Sequence, residues 1–246
     1  MTAQLAALYD VENPWGRDDE FFLRLANRTP AARVVDLGCG TGRLTLALAA
    51  AGHSVTGVEP ARASLDAARG KPDGGRVTWI EGIAADLPAA AYDLALLTSH
   101  VAQEIRDDAE WAGTLVELRR ALVDGGRLAF DSRDPAARRW ERWNPAHSRR
   151  RLALPDGTTV DAWTELTEVR DGQVSFRHHY RYPDGRELRS AGTLRFRTEA
   201  ELRASLTAAG FTVDRMCGGW AGEPVGASQD GELIVVARAA DHCQRR

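Results

Sequence analysis

Val34-Val-Asp-Leu-Gly-Cys-Gly-Thr-Gly42 runs straight into the apolar helical pattern Leu44 to Ala51. The stretch reads as a short buried strand, Arg33–Leu37, that ends near an acid and turns through three glycines into a helix stopped by Gly52. Glycine is required where backbone must approach a ligand closely or take a positive φ. The helix N-terminus behind such a loop offers free N–H groups and a positive dipole end. The nicotinamide fingerprint reads Gly-x-Gly-x-x-Gly. This loop reads Gly-x-Gly-x-Gly, with Arg43 where the third glycine would fall, which argues against NAD.

Working outward, Ser54-Val-Thr-Gly-Val-Glu59 is a second strand, and Pro60 suits the first turn of a helix running to about Arg69. Arg76–Glu81 and Tyr92–Leu97 are further strands. Between Asp107 and Leu122, the residues Trp111, Leu115, Leu118 and Leu122 fall on one helical face. Asp107 and Glu110 take the N-cap and N3 places. Asp124-Gly-Gly then turns the chain into the strand Arg127–Asp131. Strand and helix alternating in this way predict parallel βαβ units in a doubly wound α/β sheet.

The rhythm changes after Pro135. Over 152–197, the turn signals Pro155-Asp-Gly157, Arg170-Asp-Gly172 and Pro183-Asp-Gly185 separate alternating runs. Val174, Phe176, His178, Tyr180 and Tyr182 share one face, while Ser175, Arg177, His179 and Arg181 share the other. An inserted antiparallel meander of about four strands is expected. The α/β pattern resumes with the capping box Thr198–Glu201, a helix to Ala209, and strands Phe211–Met216 and Leu233–Arg238. The chain thus reads as one domain over 1–246, with a core at 30–135 and 198–240 and an insertion at 136–197.

Composition bounds the function. The 246 residues are 43% hydrophobic, enough to bury a core, and 32 basic against 35 acidic residues argue against broad electrostatic binding of nucleic acid. No apolar run approaches the roughly 20 residues of a spanning helix, and MTAQLAALYDVEN lacks the marks of a signal peptide. A cytoplasmic protein that engages no membrane is expected. Cys39, Cys217 and Cys243 form neither a disulfide framework nor paired zinc ligands, so no metal site is expected. Lys71 is the only lysine, all other basic residues being arginine. Genome composition explains this simply, whereas selection for guanidinium contacts would require a local cluster.

Three acids follow three successive strands: Asp36, Glu59 and Asp86. In an open sheet they meet at the carboxyl edge, where ligands bind. Glu59 there can accept from both ribose hydroxyls, Asp86 from an exocyclic adenine amine, and Leu87 or Ile83 can pack on the purine. Asp36 beside the loop would repel a phosphate. A nucleoside with few negative charges is the implied ligand.

This constellation resembles the class I S-adenosylmethionine-dependent methyltransferases. Val34–Gly42 matches that family's first motif, Glu59 its ribose-binding acid and Asp86 its adenine-binding acid. Tyr92–Leu97 and Leu118–Leu128 match a later strand and the turn before the fifth. The likeness covers about 30–131 by motif and 198–238 by pattern. It implies a Rossmann-like seven-stranded sheet in the order 3-2-1-4-5-7-6 with the last strand antiparallel. It also implies S-adenosyl-L-methionine as cofactor and S-adenosyl-L-homocysteine as product. The residues expected to hold it are Tyr9, Asp36, Gly38, Cys39, Gly40, Thr41, Gly42, Glu59, Pro60, Ala85, Asp86, Leu87, Thr98 and Ser99. Small-molecule members often form a helical lid from the segment before the first strand, here residues 1–29, with Tyr9 against the methionyl part and Trp15 against the acceptor.

Acceptor-side residues are expected after the fourth strand, in Thr98-Ser-His-Val-Ala-Gln103. The Asn/Asp-Pro-Pro-Tyr/Phe of many nucleic-acid amine methyltransferases is missing there, which with the charge balance points to a small-molecule acceptor. His100 is the candidate base, since neutral imidazole can take a proton from an amine or hydroxyl; a positioning or structural role is the alternative. Gln103, His178 and Trp220 are candidate acceptor contacts, and 136–197 a cap over them. His179 is expected to be solvated, and Arg138–Arg151 a solvated helix with Trp140 and Trp143 facing the core. A cofactor-binding module without transfer, or an RNA methyltransferase resting on the arginine cluster, are the competing readings.

Overall fold

The computed structural model describes residues 2–240; Cys243 lies outside them. Two helices, α1 (Ala3–Glu12) and α2 (Arg17–Ala26), precede β1 (Arg33–Leu37). There follow α3 (Arg43–Ala50), β2 (Ser54–Val58), α4 (Arg62–Arg69), β3 (Thr78–Ile80), β4 (Tyr92–Leu97), α5 (Val101–Glu104), α6 (Asp108–Ala121) and β5 (Leu122–Arg133). The inserted part holds α7 (Pro145–Ser148), β6 (Arg150–Ala153), β7 (Thr159–Arg170), β8 (Gln173–Arg181) and β9 (Glu187–Arg195). The chain closes with α8 (Glu199–Ala208), β10 (Phe211–Cys217) and β11 (Glu232–Ala239).

Seven strands form one sheet in the order β10-β11-β5-β4-β1-β2-β3. The pairs from β3 to β5 are parallel, and β11 runs antiparallel to both β5 and β10. This is the expected order. Alternate residues serve opposite faces. Val35, Leu37, Ala95, Leu97 and Phe130 pack under Trp111, Leu115 and Leu118 of α6 and Leu202 and Leu206 of α8. Val34, Leu94, Leu96 and Ala129 pack under Phe22, Leu44 and Leu48 of α2 and α3. Covering both faces explains why these strands read as continuous apolar runs.

Asp107 caps α6, its carboxylate accepting from the Ala109 and Glu110 amides at 2.9 Å each. The third strand is shorter than expected, pairing with β2 only over Thr78–Ile80.

The insertion is a four-stranded antiparallel sheet, β6-β7-β8-β9. Its apolar face closes on α1: Leu8 packs against Leu152, Val160, Ala162, Tyr180 and Tyr182. Two expectations are corrected here. Residues 138–151 form no long helix, because short 3-10 turns and α7 fold Trp140 edge-to-face onto Phe196 at 4.7 Å. His179 is buried, not solvated: it stacks on its cross-strand partner Trp163 at 4.7 Å, and Glu187 and Glu165 bind its two ring nitrogens.

Candidate active site

The glycine loop crosses the carboxyl ends of β1 and β2. Gly38 and Cys39 amides donate to the Val58 carbonyl at 2.7 and 3.1 Å. All three loop glycines have left-handed φ, for different reasons. A Cβ on Gly38 would lie 2.6 Å from the Val101 methyls, and one on Gly42 2.7 Å from the Trp79 ring. One on Gly40 would meet nothing within 4 Å. Two glycines therefore serve packing, and the middle one faces open space.

Glu59 organises the next turn: its two oxygens accept from the Gly40 amide at 3.1 Å and the Ala61 amide at 2.9 Å. Each oxygen keeps a further lone pair. Asp36 is buried, its Oδ2 accepting from the Thr45 hydroxyl at 2.6 Å while Oδ1 has no partner. Burial raises its pKa to about 6. From α1, Asp10 accepts the Thr41 hydroxyl and pairs at 2.7 Å with Lys71, whose ammonium also donates to the Thr41 carbonyl at 2.8 Å.

A cavity of about 1730 Å³ runs from this loop past the end of β4 to the inner face of the meander. At its middle stands His100, with φ +66°. Its Nε2 lies 3.0 Å from Glu232 Oε2 and 3.3 Å from Asp131 Oδ2, and its amide donates to Asp131 at 3.1 Å. Burial lowers the imidazole to about 4 and raises Asp131 to about 6 and Glu232 to about 8.

Sequence reasoning missed both acids. Asp131, an acid near the end of a strand like Asp36, carried a usable signal. Glu232 carried none, because it reaches this edge only as the first residue of antiparallel β11, paired with Arg133.

Glu12 was also missed. At the meander end of the cavity its buried carboxylate accepts from Tyr180 at 2.6 Å, meets His178 Nε2 at 2.7 Å and pairs with Arg150. Burial lowers His178 to about 4 and raises Tyr180 to about 12.

The residues expected to hold a cofactor, from Tyr9 to Pro60, line this cavity except Gly42; Ala85, Thr98, Ser99, His100 and His178 line it too. Burial pushes the Cys39 thiol far up, so it supplies no thiolate at neutral pH.

Five residues lie elsewhere. Asp86 accepts the Ile83 amide at 2.8 Å and caps its turn, while Leu87 belongs to the core; exposed Ile83 is the apolar side chain that reaches the cavity. Trp15 is exposed and donates to Glu20 at 2.7 Å. Trp220 packs edge-to-face on Phe21 and Phe22. Gln103 is buried, and its Oε1 accepts from Arg133 Nη1 at 3.0 Å. It thereby positions a cavity residue without lining the cavity.

Residues 34–126 match the family model described as a methyltransferase domain. The cypemycin N-terminal methyltransferase of a Streptomyces species is 30% identical over 213 residues, covering 83% of this chain and 82% of that protein. The chain belongs to the class I S-adenosylmethionine-dependent methyltransferases. The sugar N-methyltransferase KedS8 from a Streptoalloteichus species shares the methyltransferase's fold at 20% identity, with TM-score 0.72 over 94% of this chain and 90% of its own. CalS10 of Micromonospora echinaspora, an amino pentose methyltransferase solved with S-adenosylmethionine bound, does so at 23% identity, with TM-score 0.67 over 95% of each chain.

S-adenosylmethionine is therefore the methyltransferase's cofactor, and the donor set fits it. The open approach at Gly40, the spare lone pairs of Glu59 and the partnerless Oδ1 of Asp36 suit a nucleoside that carries an ammonium group. Among the described residues no helix is long and apolar enough to cross a membrane.

Proposed function

We propose that the enzyme methylates a nitrogen or oxygen of a small metabolite by direct in-line transfer. One observation carries this reading: a single cavity joins the glycine loop to the inner face of the meander. Its volume exceeds the roughly 300–1,000 Å³ of a pocket for one small molecule, leaving room for cofactor and acceptor together. When bound, S-adenosylmethionine supplies an electrophilic methyl and its own leaving group.

The chain's residues then bind, orient and exclude water. Glu59 accepts the ribose hydroxyls on its remaining lone pairs, Ile83 packs on the purine, and Asp36 Oδ1 takes a proton donor of the methionyl part. Tyr9, Thr98 and Ser99 close the site around the methyl. His100 is neutral at physiological pH because burial depresses its pKa. With Nε2–H held between Asp131 and Glu232, Nδ1 is left as the acceptor of the proton that the substrate sheds. Helix α1 acts as the lid and the meander, with Glu12, His178 and Tyr180, as the acceptor cap.

Calorimetry with S-adenosylhomocysteine tests the cofactor end: binding unchanged in an Asp36→Ala/Glu59→Ala double variant sinks the assignment. Labelled S-adenosylmethionine offered with amine, hydroxy-acid and phenol pools tests the acceptor end. Turnover that falls in His100→Asn while cofactor affinity holds supports the base. Cofactor binding without turnover in any pool would instead leave a binding module.

A further inference from the structure

We infer that the acceptor carries an anionic group, phosphate or carboxylate, seated by Arg133, Arg139 and Arg142 at the junction of core and cap. This deepens the small-molecule reading above and rests on it. Five arginines line the cavity. Two are neutralised within the protein, Arg43 by Asp18 and Asp19 and Arg150 by Glu12.

The other three form no ion pair among the described residues. Arg133 has the Gln103 amide oxygen as partner and lies over the Trp143 ring at 5.7 Å. Arg139 donates to the Gln229 carbonyl at 2.7 Å. The Arg142 guanidinium has no hydrogen-bond or ion-pair partner among the described residues. All three sit on one stretch that starts at the last residue of β5, where Arg133 and Arg139 repel each other and burial disfavours the Arg133 charge.

The acids that face them, Asp131, Glu232 and Glu104, attract the Arg133 charge but form no ion pair with these arginines among the described residues. Asp131 and Glu232 are engaged with His100, and burial raises the pKa of both, as it does that of Glu104. A cavity lined by three guanidinium groups that hold no ion pair among the described residues, with Arg133 desolvated and Arg142 exposed, leaves a place for an incoming anion. Planar guanidinium forks match phosphate and carboxylate oxygens.

The opposite end of the cavity supplies the complement. Asp36 and Glu59 would repel an anion, so a charged acceptor binds one way round, with its anion at the arginines and its reacting atom toward His100.

The test uses enzyme saturated with S-adenosylhomocysteine and titrated calorimetrically with inorganic phosphate, pyrophosphate or acetate at fixed ionic strength. Saturable binding is expected, at least tenfold weaker in Arg142→Gln and in Arg139→Gln. Arg149→Gln, which removes a guanidinium stacked on Trp163 away from the cavity, should leave it unchanged. Tighter phosphate than acetate assigns a phosphorylated acceptor, and the reverse a carboxylate. Absence of saturable binding, or equal affinities in Arg142→Gln and Arg149→Gln, overturns the inference. Failure to bind S-adenosylhomocysteine in the first step would strike the cofactor site instead, so the two readings fail separately.

Discussion

Replacing Asp36 with Asn measures what a carboxylate costs at the end of β1. The side chain is 1% exposed, and only Oδ2 is hydrogen-bonded. Burial is the main cause of its rise from 3.8 to about 6; the Thr45 hydrogen bond opposes it and the Glu59 charge adds to it. Two pKa units are worth about 3 kcal/mol. The folded protein holds this proton more tightly than the unfolded chain does. The carboxyl therefore costs nothing below pH 3.8, and its cost grows to the full amount as the pH passes about 6. An amide never ionises, but it leaves an N–H unpaired, a pH-independent penalty of about 1–2 kcal/mol. The variant should be less stable than the parent near pH 4 and more stable, by about 1–2 kcal/mol, above pH 7. Urea denaturation of the cofactor-free proteins across this range reads the difference, and titrations that both share cancel. A difference that is flat, or that falls as pH rises, would refute the reasoning. Above pH 7 the more stable variant should bind S-adenosylhomocysteine about tenfold more weakly, since stability at a binding site trades against function.

Three further outcomes are expected. Gly38→Ala should cost about 2 kcal/mol or more in chemical denaturation, because φ is +74° and the new methyl meets Val101 at 2.6 Å; a loss under about 1 kcal/mol would show that the loop yields. Trp220→Ala should lower the melting temperature through lost packing on Phe21 and Phe22 while leaving KM for the acceptor unchanged, and a shifted KM at normal stability would return that ring to the site. His100, Asp131 and Glu232 place potential ligand atoms within 4.8 Å of one another. If their contacts are hydrogen bonds that share a proton, EDTA dialysis should leave turnover intact, and activity restored by a divalent cation would assign them to a metal.

The glycine-loop end of the cavity was legible because backbone needs leave local marks: glycines at 38, 40 and 42, and acids where β1 and β2 end. The doubly wound order followed from the alternation of strand and helix. The rest of the cavity depends on long-range closure. Glu232 comes to His100 by the return of an antiparallel strand, and Glu12 comes to His178 because α1 folds onto the meander. Neither residue has a local pattern. Trp15 and Trp220 line no part of the cavity: Trp15 stays exposed with its indole donating to Glu20, and Trp220 packs on α2, since an aromatic near the right edge packs equally well on a neighbouring helix. The meander's inner face was readable by its period of two, yet which of its residues met a cavity depended on what covered it.

The arginine excess invites the same scrutiny. If composition alone set the basic residues, Lys71 would be exchangeable with arginine. Its position argues otherwise. The ammonium makes two contacts at one point, with Asp10 of α1 and the Thr41 carbonyl of the glycine loop. A compact charge on a flexible stem suits that convergence, whereas a planar guanidinium directs its donors in a fixed fork and needs more room. Lys71→Arg should therefore displace α1 from the loop and weaken S-adenosylhomocysteine binding about tenfold, the equivalent of one charged hydrogen bond of about 1.4 kcal/mol, with global stability changed by less. Proteolytic nicking within α1 should rise in parallel. Were the variant to bind the cofactor product as the parent does, the lone lysine would be an accident of composition, and α1 would be held beside the loop by the Thr41–Asp10 hydrogen bond and by Arg43 donating to the Asn13 carbonyl.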